Sequence, residues 1–197
     1  LKDKILITGS TGYLGKHIMN YIDAEFIIVH ERFNDLNIFD YSDLNIDYVF
    51  HIGGPNKVMG HDNEMYSSIV DGTNKIIDLS ILLDAKLVYF STMGIYNVSN
   101  IYERYKLEAT LNIINKSNSY KILLVPRVYS SDRSDGLIGR LKVKLVNRGD
   151  FLKKIIYSDL DDFLYRVSSC YKLDTKIDRF NNVKSSILDI KLKYTID

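Results

Sequence analysis

Near the start of the chain, an apolar run meets a glycine-rich turn: Lys4-Ile5-Leu6-Ile7 leads into Thr8-Gly9-Ser10-Thr11-Gly12-Tyr13-Leu14-Gly15. This spacing suits a pyrophosphate cradle. Gly9 can take a sharp turn at positive φ, Gly12 lets the backbone approach a phosphate with no Cβ in the way, and Gly15 lets a helix pack closely on the strand. The free N–H groups of a helix start would then face the anion. A glycine triplet alone also serves as an ordinary turn, so context decides. Here the run before it has the length of a buried strand, and Leu14, Ile18, Tyr21 and Ile22 after it repeat at helical spacing.

A second constellation follows Leu87-Val88-Tyr89-Phe90-Ser91-Thr92, a strand-like run ending in hydroxyl residues. Tyr102-Glu103-Arg104-Tyr105-Lys106 comes shortly after it. Tyr102 and Lys106, four apart, share one helix face, so the lysine ammonium is expected to lower the tyrosine pKa from near ~10 toward a value usable for proton transfer. Tyr105 points about 100° away around the helix. With 15 tyrosines in the chain a Tyr-x-x-x-Lys also arises by chance, and the preceding strand and the upstream cradle are what single this one out.

These residues need elements to hold them. Strand-like runs at 4–8, 26–30, 48–52, 86–91 and 121–126 alternate with helical patterns at 62–83 and 102–116. This alternation predicts an α/β fold, a Rossmann-type doubly wound parallel sheet with helices on both faces and a small C-terminal α/β appendage. A polar, turn-prone stretch at 130–136 separates a dinucleotide-binding domain (1–130) from a small substrate-side region (131–197), in which 137–146 and 159–171 read as helices and 154–157 as a strand.

At 197 residues and 46% hydrophobic content the chain can bury a core, and a net charge of +1 argues against nucleic acid or a membrane surface as partner. The single cysteine, Cys170, leaves no internal disulfide and no multi-cysteine metal site, so no metal is expected; its plain reading is a buried small hydrophobe. With no signal-peptide pattern and no apolar run near the ~20 residues of a membrane span, the expectation is a soluble cytoplasmic protein.

Taken together and in order, these segments resemble the extended short-chain dehydrogenase/reductases, the sugar-nucleotide epimerase/dehydratase family. Thr8 to Gly15 is similar to the family's T-G-x-x-G-x-x-G, and Tyr48-Val49-Phe50-His51-Ile52-Gly53-Gly54 to its D-x-V-x-H-x-A-A. Gly72-Thr73-Asn74 is similar to its G-T-x-N, the segment Phe90 to Asn97 to its S-S/T-x-x-V-Y-G, and Tyr102 to Lys106 to its active-site pair. Pro126-Arg127-Val128-Tyr129 and Ile155 to Leu160 resemble two later family segments. The resemblance implies that Tyr102 is the acid/base, that Thr92 hydrogen-bonds the reacting sugar oxygen, and that Lys106 holds the nicotinamide ribose. It further implies that Gly53 and Gly54 line the cofactor, that Asn37 and Ile38 flank the adenine, and that His51 is a structural strand residue. The cofactor contacts are thus Gly9, Thr11, Gly12, Tyr13, Leu14, Gly15, Glu31, Arg32, Asn37, Ile38, Gly53, Gly54 and Lys106. The substrate contacts are Thr92, Met93 and Arg127. A homodimer through the 62–83 and 102–116 helices is implied as well.

Departures from the family pattern narrow the chemistry. Ten positions separate Thr92 from Tyr102 where the family usually has about two dozen, so a substrate-side loop is missing. Ile69 replaces the usual Asn. Leu124 replaces the usual Arg, while Arg127 could meet a substrate phosphate or a surface carboxylate. Met93-Gly94 stands where dehydratases carry Asp-Glu, which disfavours loss of water. What remains is hydride transfer at a carbinol or ketone carbon, as in a nucleotide-sugar 4-epimerase or a 4-ketoreductase of the reductase branch. Glu31 could bind an adenosine ribose and Arg32 a 2′-phosphate, so the cofactor is NAD(P), with a slight lean to NADP(H). A cofactor-binding sensor or scaffold without turnover, and a reductase of a non-nucleotide carbonyl compound, are the alternatives.

Overall fold

The computed structural model describes residues 1–33, 35–54, 62–131, 154–180 and 183–186. Two compact units emerge, one of residues 1–124 with 169–179, the other of residues 125–168 with 180–197. The predicted helix at 137–146, Asn34, and residues 132–136 of the proposed boundary lie outside the described residues.

In the first unit a six-stranded parallel sheet runs in the order β2-β1-β3-β4-β5-β8, and it is Rossmann-like. Its strands are β1 (Lys4–Thr8), β2 (Glu25–Ile28), β3 (Tyr48–His51), β4 (Lys86–Thr92), β5 (Tyr120–Val125) and β8 (Ile177–Arg179). The central strands carry near-continuous apolar runs because both faces are covered: Ile5, Leu6, Ile7, Val49, Phe50, Leu87 and Val88 are fully buried. Helix α1 (Tyr13–Tyr21) follows β1, and α2 (Asp62–Tyr66), a π-helical turn (Ser67–Asp71) and α3 (Gly72–Leu82) follow β3. Helix α4 (Ile101–Lys116) follows β4. The sequence reads 62–83 as one helix; the structure breaks it with the π turn. The chain order reverses between β1 and β3, which opens a crevice at their carboxyl ends, where ligands bind in open α/β sheets.

The segment 169–179 rejoins this unit through side chains. The Tyr171 hydroxyl donates to Asp3 at 2.6 Å, Lys172 pairs with Asp3 at 2.7 Å, and the fully buried Lys121 of β5 pairs with Asp178 of β8.

The second unit holds a three-stranded sheet, with β6 (Arg127–Tyr129) parallel to β7 (Lys154–Asp159) and β7 antiparallel to β9 (Val183–Ser186). Helix α5 (Leu160–Cys170) follows β7 and buries Phe163, Leu164 and Val167. Phe163 packs on Phe180 at 5.5 Å between ring centres.

Candidate active site

The glycine turn has the backbone its spacing predicts. Gly9 sits at φ +75°, and a Cβ there would lie 2.7 Å from the Gly53 nitrogen. The Gly12 N–H closes the turn onto the Gly9 carbonyl at 3.1 Å, and Gly12 then caps α1 in an extended conformation with no side-chain cap. A glycine at this position brings no side chain over the helix start, the end of a helix that attracts an anion. A Cβ on Gly15 would run into the Gly9 carbonyl oxygen and come within 2.9 Å of the Ser10 Cα, so this glycine lets helix and turn touch. Gly12 differs. A Cβ there would meet only the Gly9 carbonyl oxygen, at 3.3 Å, and otherwise point into open space.

Beside this turn, among the described residues, lies a cavity of about 590 Å³. It brings together Gly9 and Thr11 from the turn, Glu31 and Arg32 from the loop after β2, and Gly53 and Gly54 from the end of β3. Tyr13 and Leu14 are half-buried on α1, with Tyr13 packed on His17 at 4.7 Å between ring centres. Asn37 lies outside the lining; its amide caps a 3-10 turn (Ile38–Tyr41) and donates to Asp40 at 2.8 Å, while Ile38 packs against the core.

At the loop after β2 the two cofactor-selecting residues differ in commitment. Glu31 accepts a 2.6 Å hydrogen bond from the Tyr41 hydroxyl, which lowers its carboxyl pKa. The exposed Arg32 side chain makes no such bond among the described residues. Sequence reasoning missed Phe33, Glu64, Ser67 and Ser68, which also line the cavity. Gly53 and Gly72 leave a slot for the Phe33 ring, since a Cβ on either would fall 2.9 or 2.6 Å from it. Paired glycines facing one aromatic are a signal only once the fold brings them together.

Under the cavity runs a buried polar chain. The Gly53 N–H lies 3.4 Å from Thr8 Oγ1, Thr8 Oγ1 lies 2.7 Å from His51 Nδ1, and His51 Nε2 lies 3.0 Å from Thr73 Oγ1, which donates to the Ile69 carbonyl at 2.5 Å. One tautomer satisfies every member: Thr8 donates to Nδ1 and Nε2–H donates to Thr73. Burial, with the Lys106 charge, brings the His51 pKa down to about 3, so the ring is neutral.

The second constellation is assembled where β4 meets α4. Asn100 caps α4 by accepting from the Glu103 N–H at 2.9 Å, and the Glu103 carboxylate accepts in return from the Ser99 N–H at 2.8 Å. This reciprocal cap fixes the first turn and so places Tyr102, the second helical residue. Gly94 fits under it, because a Cβ there would lie 2.5 Å from Glu103 Oε1. Thr92 ends β4 and its Oγ1 accepts from the Gly94 N–H at 3.2 Å, which leaves the hydroxyl proton to donate; Met93 beside it is half-buried. Tyr105 points elsewhere, donating to Asp62 at 2.6 Å and packing on Tyr66.

Lys106 is buried. Its Nζ donates to the Phe90 carbonyl at 2.9 Å and lies 4.3 Å from the centre of the Tyr89 ring. Burial brings its pKa down to about 7. Burial, reinforced by the Glu103 carboxylate, pushes the Tyr102 hydroxyl up to about 12. The sequence expectation ran the other way, with Lys106 lowering the tyrosine pKa. In the structure the ammonium faces β4, and desolvation of the phenol outweighs it. Arg127, the remaining candidate, is exposed at the start of β6 in the second unit.

The model of the NAD dependent epimerase/dehydratase family matches residues 5–123. Comparison with curated proteins gives no match. Among solved structures, dTDP-4-dehydrorhamnose reductase from Bacillus anthracis, in complex with NADP, superposes with a TM-score of 0.82 at 17% identity, over 98% of this chain and 80% of that one. ADP-L-glycero-D-manno-heptose-6-epimerase from Helicobacter pylori superposes with a TM-score of 0.80 at 14% identity, over 98% and 82%. UDP-glucuronic acid 4-epimerase from Bacillus cereus, in complex with NAD, gives 0.78 at 16% identity, over 95% and 80%. At these identities the likeness is one of fold.

Proposed function

The chain belongs to the NAD dependent epimerase/dehydratase family, and from that premise we propose that it is an NAD(P)-dependent oxidoreductase acting on a nucleotide-linked sugar, of the 4-ketoreductase or 4-epimerase type. The observation that carries this reading is the capped first turn of α4, which holds Tyr102 one turn from Lys106 and packs on the 3-10 turn after Thr92. The open side of Gly12 and the uncapped start of α1 fit a dinucleotide pyrophosphate. In this reading Gly9, Thr11, Gly12 and the N–H groups of Tyr13, Leu14 and Gly15 hold the pyrophosphate, while Gly53 and Gly54 border it. Arg32 meets a 2′-phosphate, because among the described residues its guanidinium is uncommitted while Glu31 is bound to Tyr41, which favours NADP(H). Lys106 meets the nicotinamide ribose. The cofactor, when bound, supplies or takes the hydride.

The chain's own residues handle the proton. With its pKa near 12, Tyr102 keeps its proton at neutral pH and can donate it to a carbonyl oxygen that becomes an alkoxide. Thr92, with its hydroxyl proton free, donates a second hydrogen bond to that oxygen, and Met93 borders the sugar. The test is NADPH oxidation against a panel of 4-keto nucleotide sugars. Tyr102→Phe should retain the cofactor Kd and lose about 10²–10⁴ in kcat, whereas Tyr105→Phe should stay active because its hydroxyl serves Asp62. A Tyr102→Phe enzyme with unchanged turnover would overturn the assignment.

A cofactor-binding protein without turnover is the second reading, and the commitment of Lys106 to Phe90 favours it. Tight NADPH binding with no oxidation on any carbonyl substrate would select it.

A further inference from the structure

Below its midpoint Lys106 is an ammonium in the interior, with no carboxylate against it among the described residues. Charges in such places need compensation, and the usual form is an ion pair. The groups that face this one come from two strands. From β4 come the Phe90 carbonyl and the Tyr89 ring and from β3 the neutral His51 ring, while the protonated Tyr102 stands one turn away on α4. None carries negative charge. The negative face of an aromatic ring attracts a cation within about 6 Å, most strongly when both are desolvated, and Nζ lies 4.3 Å from the Tyr89 centre.

The Tyr89 ring is itself firmly held. It is fully buried and stacks on the His51 ring at 5.4 Å and 27°, and His51 is fixed from both sides by Thr8 and Thr73. Among the described residues the buried Tyr89 hydroxyl has Thr73 as its polar neighbour and no partner at full hydrogen-bond geometry. The contribution of this residue is therefore its ring face.

We propose that Tyr89 is a positioning residue: its ring seats the Lys106 ammonium in the role a carboxylate would otherwise fill. The inference rests on the reading that Lys106 works in the site. A ring face has a consequence that a carboxylate lacks. An ammonium has three N–H donors, and an ion pair would engage one or more of them. The π face attracts the charge without fixing a donor, so only the bond to Phe90 is committed and the others are left for a ribose. A continuous path of contacts also links the cradle to the lysine, from Thr8 through His51 and Tyr89 to Lys106.

The experiment replaces the ring without changing its size. Phenylalanine, 4-fluorophenylalanine and 3,4,5-trifluorophenylalanine are incorporated at position 89 of the full chain, together with Tyr89→Met, which keeps bulk and removes the ring. Lys106 is followed by NMR titration of protein carrying 13C-labelled lysine, its resonance identified by its loss in Lys106→Met. The conservative Tyr89→Phe should keep the wild-type midpoint. Fluorination should lower it stepwise by up to about one pH unit, the size of a desolvated cation–π contact, and Tyr89→Met should match or exceed the trifluoro ring. NADPH affinity at pH 7 should weaken in the same order. A midpoint that stays flat through the fluorine series overturns the proposal, and the isosteric rings keep the test decisive if Tyr89→Met does not fold. A Lys106→Met protein with wild-type NADPH affinity would instead sink the functional reading, and the titration series would still decide the Tyr89 seat.

Discussion

At the scale of single residues, the three glycines of the cradle separate by what lies beside each. A Cβ at Gly12 meets only the Gly9 carbonyl oxygen, at a close 3.3 Å, and its φ of −72° suits any residue, so Gly12→Val should fold with a smaller Tm loss than Gly15→Ala and lose NADPH binding in calorimetry. Gly15→Ala drives a methyl into the Gly9 carbonyl and should cost about 1–3 kcal/mol in urea unfolding, the range for overpacking. Equal Tm losses in the two variants would remove the distinction between a ligand-facing and a packing glycine. The buried ionisable groups make a second prediction. His51 titrates near 3 in the folded chain against 6.5 ordinarily, and Lys106 near 7 against 10.5. In both windows the unfolded chain binds more protons than the folded one, so stability rises with pH from about 3 to 6.5 through His51 and from about 7 to 10.5 through Lys106. Urea midpoints measured from pH 7 to 9 should therefore climb in wild type and stay level in Lys106→Met. A Lys106→Met slope equal to wild type would assign the climb to other groups.

At the scale of elements, α4 starts where it does because Asn100 and Glu103 satisfy its free N–H groups and those just before it, and the site depends on that start. Asn100→Ala should cost about 1 kcal/mol of stability and lower kcat/KM beyond what the stability loss explains, since Tyr102 lies in the turn the cap fixes. Kinetics well below the Tm would check this, and a wild-type kcat/KM would separate the cap from the site. The start of this helix was legible to within one residue from Tyr102 and Lys106. The π turn at Ser67–Asp71 was not. Periodicity continues on either side of one wide turn, and the widening is a matter of which residues find the core: Ile69 and Val70 are buried while Ser67 and Ser68 line the cavity. The isolated pattern could not distribute them.

For the whole molecule, Tyr66, Ile81, Leu111 and Ile114 are large apolar side chains left exposed on α2, α3 and α4. A homodimer through these helices is expected, and light scattering at micromolar protein should give twice the chain mass of 22.8 kDa. Leu111→Asp with Ile114→Asp should halve it; a wild-type monomer mass would instead mean that these faces are solvated.

The sequence by itself determined what depends on neighbours along the chain. Alternating apolar runs specified the parallel sheet, glycine spacing specified a turn with Gly9 at positive φ, and a spacing of four put Tyr102 and Lys106 on one helix face. These follow from backbone freedom and periodicity, which are local. Tertiary structure alone decided what depends on residues brought together from afar. Residues 177–179 carry no strand pattern, and β8 joins the sheet edge through Lys121 and Asp178 and through a returning segment whose Tyr171 reaches Asp3, 168 positions away. The protonation of Tyr102 and Lys106 was decided the same way. Helical spacing alone sets Lys106 to lower the Tyr102 pKa, but burial turns the ammonium toward Phe90 and Tyr89 and leaves Tyr102 protonated. Solvent exclusion arises only when sheet and helix close on each other, and it is the term that fixes these charges.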